Sequence, residues 1–376
     1  MADVFDGVLG QPRVREFFRA TIASGRVSHA YLLTGPAGSN KTSAAYAFAQ
    51  AILCEKNGCG ECDDCARVLR RRHPDVHYYA PEGAQGYLVE QVREIVSDVS
   101  LAPIRAKSKV YILDRVDLLG TQAANAFLKT LEEPVPGVMF ILLGRTREGV
   151  LPTIVSRCQV VPFRHIPARE AAGILSQKVG VTPERARMAI EACDGSITQA
   201  ISFAKSSERT EFRARVMEVL AGLSVADARD VLEYAAELIE RAKAPLDNVR
   251  TEQSEELAES ADFLTKTAMR QIELRHKRAL TQATRTSLRQ MTAIIRSWLR
   301  DVLMVVSGTP ELMVNIDQRS AVEAAAARVN VEGLMRALRE AYKTDEALSY
   351  NVSPETCLDT LLFTIREVLH GSGNTY

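Results

Sequence analysis

The stretch that most constrains the fold is "AYLLTGPAGSNKTSAA", which begins at Ala30. An apolar strand, a glycine-rich loop and a helix follow one another here, as in loops that bind phosphates. The phosphate-binding pattern requires Gly, four free residues and then Gly-Lys-Ser/Thr. This chain has Gly35, four residues and then Asn40, Lys41 and Thr42. It therefore predicts a fold built around a phosphate-binding loop in which asparagine replaces one glycine.

Short apolar strands alternate with helical stretches from residue 1 to about residue 163. The strands are "AYLLTG", "KVYILD" and "VMFILLG", and the helices include "TSAAYAFAQAILC" and "TQAANAFLKTLEE". Strands that alternate with helices predict a doubly wound parallel sheet, whose ligands lie at the carboxyl ends of the strands. We therefore expect an α/β P-loop domain over residues 1–163.

Helical patterns alone follow this domain. The segments "PAREAAGILSQKVG", "TPERARMAIEACDG" and "SITQAISFAKS" each begin with Pro, Thr-Pro or Ser, which favour helix starts, and predict a small helical domain over residues 164–208. Longer helical segments at 211–242, 255–274, 280–306 and 331–345 predict an all-α domain over residues 209–376.

Composition excludes several classes of protein. Hydrophobic residues make up 46% of the chain, yet no apolar run approaches the about eighteen residues that cross a bilayer. The N-terminus lacks the zones of a signal peptide, so we expect a cytoplasmic protein with no membrane partner. The 47 basic and 47 acidic residues cancel, which argues against a dedicated nucleic-acid binder and restricts any DNA contact to a local surface.

Three residues are candidates for a nucleotide site. In a phosphate-binding loop the lysine neutralises phosphate oxygens and the next hydroxyl holds Mg²⁺, which are the roles of Lys41 and Thr42. Asp114 ends the strand "KVYILD", where an acidic residue also holds Mg²⁺, but Arg115 follows where a second acid should activate water. Arginine cannot accept a proton at neutral pH. The sequence predicts a degenerate site and leaves ATP and Mg²⁺ binding open.

Four cysteines lie within twelve residues, at positions 54, 59, 62 and 65. Cys54, Cys59, Cys62 and Cys65 have the spacing C-x₄-C-x₂-C-x₂-C, and four thiolates can enclose a tetrahedral Zn²⁺ with no open position for water. Such a site is structural. Short cysteine spacings also hold iron–sulfur clusters, although nothing else in the chain indicates electron transfer.

Six motifs occur in the order typical of one family. "GQPRVREFF" with the glycine-rich loop, the cysteine insert, "HPD", "KVYILDRVDLL", "NAFLKTLEEP" and "TIVSRC" together resemble the bacterial clamp-loader branch of the AAA+ proteins. The resemblance covers about the first 205 residues in detail. It implies structural zinc in the insert, a C-terminal oligomerisation collar, and a place in the DNA polymerase III holoenzyme. The implied partners are gamma/tau and delta subunits and, through the complex, the sliding clamp and primed DNA.

Four positions sort the subunits of that family into ATP-hydrolysing motors and silent relatives. A motor keeps the loop glycine, the strand-end glutamate and an arginine after "GS" in the helical lid, but this chain has Asn40, Arg115 and "GSIT" at 195–198. Thr146, at the fourth position, fits either kind. We therefore expect no intrinsic ATPase activity.

The motif "SRC" is intact, and Arg157 within it resembles the arginine finger that reaches a neighbouring subunit's ATP. A chain that lacks its own catalytic groups and keeps this one is expected to serve its neighbour. Two alternatives are an active gamma/tau-like ATPase, favoured by Lys41, Thr42 and Asp114, and a zinc-bearing AAA+ scaffold for another DNA transaction.

Overall fold

A computed structural model describes residues 3–83, 86–246, 250–251, 254, 266–349 and 352–370. The chain forms two compact units. The first contains Met1–Ile174 together with Gly195–Thr198, and the second contains Leu175–Asp194 and Gln199–Tyr376.

The first unit is built on a parallel sheet. Among the described residues it has five strands, which are β1 (Ala30–Thr34), β2 (Val76–Tyr79), β3 (Lys109–Leu113), β4 (Val138–Gly144) and β5 (Gln159–Pro162). Their order across the sheet is β2-β3-β4-β1-β5, and every neighbouring pair is parallel. β1, β3 and β4 are buried along their whole length, as is usual for apolar strands covered on both faces. The carboxyl ends of all five strands therefore lie at one edge.

Helices connect the strands and cover the sheet. They are α1 (Pro12–Ser24), α2 (Lys41–Leu53), α3 (Asp63–Leu69), α4 (Val89–Val99), α5 (Thr121–Glu132) and α6 (Pro152–Val155), and α7 (Ala168–Val179) leads into the second unit. Side chains alternate along β1, so that Tyr31 and Leu33 pack in one apolar cluster and Leu32 packs in the other. Two hydrophobic cores thus hold the helices against the sheet and fix the strand ends that carry the site.

The second unit is helical throughout its described part. It contains α8 (Pro183–Ala192), most of α9 (Ile197–Lys205), α10 (Ser207–Gly222), α11 (Ala228–Lys243), α12 (Lys266–Val306), α13 (Arg319–Ala326), α14 (Val331–Ser349) and α15 (Pro354–Leu369). Every residue of α12 from 291 to 299 is buried, including Trp298. A helix buried on all sides lies at the centre of its domain, and α12 contacts α8, α10, α11, α13 and α14.

An ion network crosses the core of the second unit. Arg289 on α12 donates two hydrogen bonds of 3.1 Å to Asp345 on α14, and Arg296 donates one of 3.0 Å to Asp194. Burial alone would raise the pKa of Asp345, but the Arg289 hydrogen bonds and the charge of Arg296 outweigh burial and hold that pKa below its usual range. Asp345 is therefore ionised in the folded unit.

The expected fold class, a P-loop-type parallel sheet followed by helices, is confirmed. Two helical predictions differ from the structure. The predicted segments 255–274 and 280–306 lie, over their described residues, in the single helix α12, and residues 211–242 form two helices. The turn after α10 ends at Asp227, whose carboxylate and that of Asp230 cap each other's backbone N–H groups at the start of α11. Of the predicted segment 255–274, residues 255–265 lie outside the described residues. No helix in the described part of the chain is long and apolar enough to span a bilayer.

Candidate functional site

The glycine-rich loop joins β1 to α2 at the carboxyl edge of the sheet. A Cβ atom at Gly35 would lie 2.6 Å from the carbonyl oxygen of Phe163, so only glycine fits there. Asn40 has φ 72° and ψ 20°, a left-handed conformation in which asparagine is tolerated better than most residues. Its Nδ2 also donates to the Leu9 carbonyl at 3.3 Å. The asparagine therefore keeps the backbone turn that a glycine normally provides.

Lys41 directs its ammonium group into its own loop. Nζ donates to the carbonyl oxygens of Gly35 and Pro36 at 2.5 and 2.8 Å and to Ser39 Oγ at 3.2 Å. Burial lowers the pKa of Lys41 to about 8, although the negative charge of Asp114 acts in the opposite direction. A phosphate group would have to compete with the loop's own oxygens for this cation.

Asp114 follows β3 and is engaged on both carboxylate oxygens. Its Oδ2 accepts a 2.6 Å hydrogen bond from the Tyr78 hydroxyl, and its Oδ1 accepts the backbone N–H of Arg115 at 2.9 Å. The Tyr87 hydroxyl donates to the Asp114 carbonyl at 2.6 Å. Burial and the Asp114 charge both raise the pKa of Tyr78 well above its usual value, so its hydroxyl remains a donor. A Mg²⁺ ion at Asp114 would share this carboxylate with Tyr78.

Arg115 occupies the position at which a hydrolytic site needs a proton acceptor. It has φ 55°, and its Nε lies 3.4 Å from Asp117 Oδ2. The other carboxylate oxygen of Asp117 accepts the backbone N–H of Arg145 at 3.3 Å. Asp117 is therefore committed to local contacts.

The substituted loop position contacts the start of α9. The segment 195–198 belongs to the first unit, and Thr198 Oγ1 donates to Asn40 Oδ1 at 2.9 Å. The hydroxyl groups of Thr198 and Ser43 are 3.0 Å apart. In an ATP-hydrolysing motor this segment is expected to carry an arginine, and the loop a glycine. In this chain the segment carries Thr198, which is hydrogen-bonded to Asn40 in the loop.

Arg157 lies just beyond α6 and is partly exposed. Its guanidinium group binds the Glu132 carboxylate through Nε, at 2.9 Å, and through Nη2. Nη1 donates to the Thr153 carbonyl at 2.9 Å and to Ser156 Oγ at 3.1 Å. The predicted finger is thus held by its own chain at the end of α5.

The four predicted metal ligands come together between α2 and α3. The sulfur atoms of Cys54, Cys59, Cys62 and Cys65 all lie within 4.8 Å of one another. Cys54 Sγ is 3.6 Å from Cys59 Sγ and 3.7 Å from Cys62 Sγ. Zn–S bonds about 2.3 Å long in a tetrahedron place neighbouring sulfurs about 3.8 Å apart, so these thiols fit a metal ion such as zinc.

The thiols of the cluster differ in how their surroundings affect ionisation. All seven cysteines of the chain are free thiols. Burial by itself raises the pKa of Cys54, but backbone N–H groups of Cys59, Gly58 and Lys56 outweigh burial and lower that pKa to about 6. Burial raises the pKa of Cys62 and of Cys65 above its usual value. Metal ligation requires the thiolate, which the backbone N–H groups stabilise at Cys54.

A second set of contacts connects the cysteine insert to the loop before β3. Arg105 in that loop binds Asp64 through Nε at 2.6 Å and Asp63 through Nη2 at 2.7 Å. Asp75 is fully buried, and its carboxylate accepts backbone N–H groups of residues 104–106. The insert, the start of β2 and this loop are therefore one connected structure.

The sequence did not identify three residues that contact the candidate site. Tyr78 and Tyr87 hold Asp114, and Glu132 holds Arg157. The sequence pointed to Glu132 only through the "NAFLKTLEEP" motif in which it lies. No signal in the sequence pairs Tyr78 with Asp114, because the pairing depends on β2 lying beside β3.

Comparison with protein-family models gives two matches. A model described as "DNA polymerase III, delta subunit" matches residues 10–167. A model described as "DNA polymerase III, delta subunit, C terminal" matches residues 263–366.

Individual proteins give related matches. The DNA polymerase III subunit delta' of Bacillus subtilis (strain 168) is 31% identical over 212 residues, which are 56% of this chain and 64% of that protein. The tau subunit of the same organism is 31% identical over 266 residues, which are 64% of this chain and 47% of that protein. The chain therefore spans about a half to two thirds of the length of these relatives. A gamma subunit-related protein from Thermotoga maritima, with a solved structure, aligns over 94% of this chain and 99% of its own at 16% identity and a TM-score of 0.45.

Proposed function

We propose, from the premise that this chain belongs to the DNA polymerase III clamp-loader family of delta, delta' and gamma/tau subunits, that it is the ATPase-silent, delta'-like member. In this role it scaffolds the loader ring and supplies Arg157 to the ATP site of a neighbouring subunit. Its partners are gamma/tau and delta subunits and, through the complex, the sliding clamp and primed DNA. The place of action is the cytoplasm.

The observation that carries the proposal is Arg115, which follows Asp114 where a hydrolytic site needs a proton acceptor. Both carboxylate oxygens of Asp114 accept a hydrogen bond, one of them from Tyr78 at 2.6 Å, so a metal ion there would share these oxygens with their donors. Hydrolysis requires a group that polarises the attacking water, and Arg115 has no lone pair for that proton. Lys41 and Thr42 are retained, but without a proton acceptor beside Asp114 we expect the site to have no means of turnover.

Arg157 supports the second half of the proposal. An arginine presented to a neighbour's γ-phosphate stabilises the charge that develops during phosphoryl transfer, and such fingers contribute about 10³–10⁵ in rate. The planar fork of arginine suits this task because it binds two phosphate oxygens at once. Arg157 lies at a partly exposed position, from which a side chain can reach another subunit.

The cysteine cluster has a structural part in this proposal. Four thiolates that close a tetrahedron leave no coordination position for a substrate, so the bound ion would be structural Zn²⁺. The contacts from Arg105 to Asp63 and Asp64 join the insert to the loop before β3. The ion would stabilise this connected part of the first unit.

The competing function is an active gamma/tau-like ATPase. One comparison favours it, because the alignment with the tau subunit is 266 residues long and that with delta' is 212. The retained Lys41 and Thr42 also agree with nucleotide binding. The two functions can be distinguished because the proposed one requires Arg157 of this chain, whereas the ATPase requires Lys41.

The deciding experiment is ATP hydrolysis by the reconstituted loader, stimulated by clamp and primed DNA, with substitutions in this chain only. Arg157→Ala is expected to abolish turnover at the one site that receives the finger, whereas Lys41→Ala is expected to leave the rate unchanged. Arg157→Lys is the matched control, because it keeps the charge and loses the fork. A large loss with Lys41→Ala and none with Arg157→Ala would establish the motor instead.

A further inference from the structure

Arg157 has almost no hydrogen-bonding capacity left for a ligand. Its contacts with Glu132, Thr153 and Ser156 use, within the described part of the chain, four of the five N–H groups of a guanidinium. A phosphate that binds the fork needs two N–H groups on one side of it. Arg157 therefore cannot hold a phosphate through its fork while Glu132 occupies it.

The contact with Glu132 is of a kind that a phosphate can displace. The side chain of Arg157 is 32% exposed and that of Glu132 is 48% exposed, so water screens the pair and its net strength is small. Glu132 is also the last residue of α5, where the negative end of the helix dipole disfavours a carboxylate. The guanidinium group of Arg157 offsets this unfavourable interaction of the carboxylate with the helix dipole. A γ-phosphate carries more negative charge than a carboxylate and would compete for the same N–H groups of Arg157.

We infer that Glu132 is a positioning residue that holds Arg157 away from the neighbour's nucleotide until a γ-phosphate displaces it. This inference rests on the proposed function of Arg157. Glu132 touches neither nucleotide nor reacting atoms, and it acts through the finger alone. It sets the fraction of time for which the finger is available, and so limits hydrolysis in the loader before the clamp and DNA assemble on it.

The test replaces Glu132 by glutamine in a reconstituted loader and measures basal ATP hydrolysis without clamp or DNA. Glu132→Gln keeps the size of the side chain and removes its charge. Because a partly exposed ion pair shifts an equilibrium by about two- to five-fold, kcat/KM is expected to rise by that factor. Glu133→Gln is the matched control, since Glu133 is the adjacent exposed carboxylate, and it is expected to leave kcat/KM unchanged.

A double variant separates an effect through the finger from an effect on structure. Glu132→Gln combined with Arg157→Ala is expected to have the rate of Arg157→Ala alone, because a released finger matters only when it is present. Equal rates for Glu132→Gln and Glu133→Gln, a fall in kcat/KM for Glu132→Gln, or an effect of Glu132→Gln in the Arg157→Ala background would each overturn the inference. If Arg157→Ala itself has no effect, the proposed function fails, and the inference fails with it.

Discussion

Asp75 is expected to be the most sensitive single carboxylate in the first unit. It is fully buried, and its two oxygens accept the backbone N–H groups of Ile104, Arg105 and Ala106 at 2.6, 2.8 and 2.7 Å. Asp75→Asn keeps one acceptor oxygen and turns an NH₂ group toward at least one of these N–H groups. The substitution thus removes the charge from the site and leaves a backbone donor unpaired.

The size of the effect follows from these three bonds. A hydrogen bond to a charged group contributes about 1.5–3 kcal/mol, and an unpaired buried donor costs about 1–3 kcal/mol. Because the remaining oxygen keeps part of the network, we expect Asp75→Asn to lower the local stability of the loop by about 2–4 kcal/mol. The open population of residues 103–107 should therefore rise roughly 30- to 900-fold.

Two measurements report this opening. Amide hydrogen exchange follows residues 104–106 directly, and trypsin cleaves after Arg105 and Lys107 only when the loop opens. Glu55→Gln is the control, because it removes the exposed Glu55–Lys107 pair at the same loop and should change exchange by no more than about fivefold. If Asp75→Asn accelerates exchange no more than Glu55→Gln does, the buried carboxylate does not hold the loop and the reasoning is refuted.

Three further outcomes are expected. Cys62→Ser should lose the bound metal, measured as zinc content per chain, and should accelerate proteolysis of the insert, because three thiolates close the site poorly. Tyr78→Phe should destabilise the first unit by about 1–3 kcal/mol in hydrogen-exchange experiments, since Asp114 loses a charge-assisted hydrogen bond. The stability that Asp345 contributes should be present above about pH 4 and lost as the pH falls further, because its folded pKa lies below the unfolded value. The single Trp298, buried in the same unit, reports that loss by fluorescence, and Asp345→Asn should flatten the pH dependence.

The central strands and the loop were predictable because their information is local. The segments "AYLLTG", "KVYILD" and "VMFILLG" correspond to β1, β3 and β4, whose residues are all buried and are apolar apart from Thr34 and Lys109 at the strand ends. The spacing of the four cysteines likewise placed them close together before any tertiary contact was known. Patterns that a single strand or a short loop imposes can be recognised in one sequence.

The edge strands and the partners of the site residues were not predictable. β2 and β5 have four residues each and are only partly buried, so neither has an apolar run long enough to mark it. Tyr78 meets Asp114 across 36 positions of sequence, and Arg157 meets Glu132 across 25. These pairs depend on strand order and on how α5 packs against α6, which no local pattern encodes. The end of α10 was not predicted because the helical pattern continues through residues 211–242. The capping box at Asp227 nevertheless begins a new helix within that pattern.

The contacts of the two candidate functional groups differ in how easily they break. Asp114 is held by a partly buried 2.6 Å hydrogen bond from Tyr78, whose raised pKa keeps its hydroxyl a donor. Arg157 is held by a carboxylate that is itself 48% exposed, so this contact is screened and exchanges readily. The proposed function requires an arginine that can be released to a neighbouring subunit, and the exposure of the Arg157–Glu132 pair agrees with that requirement.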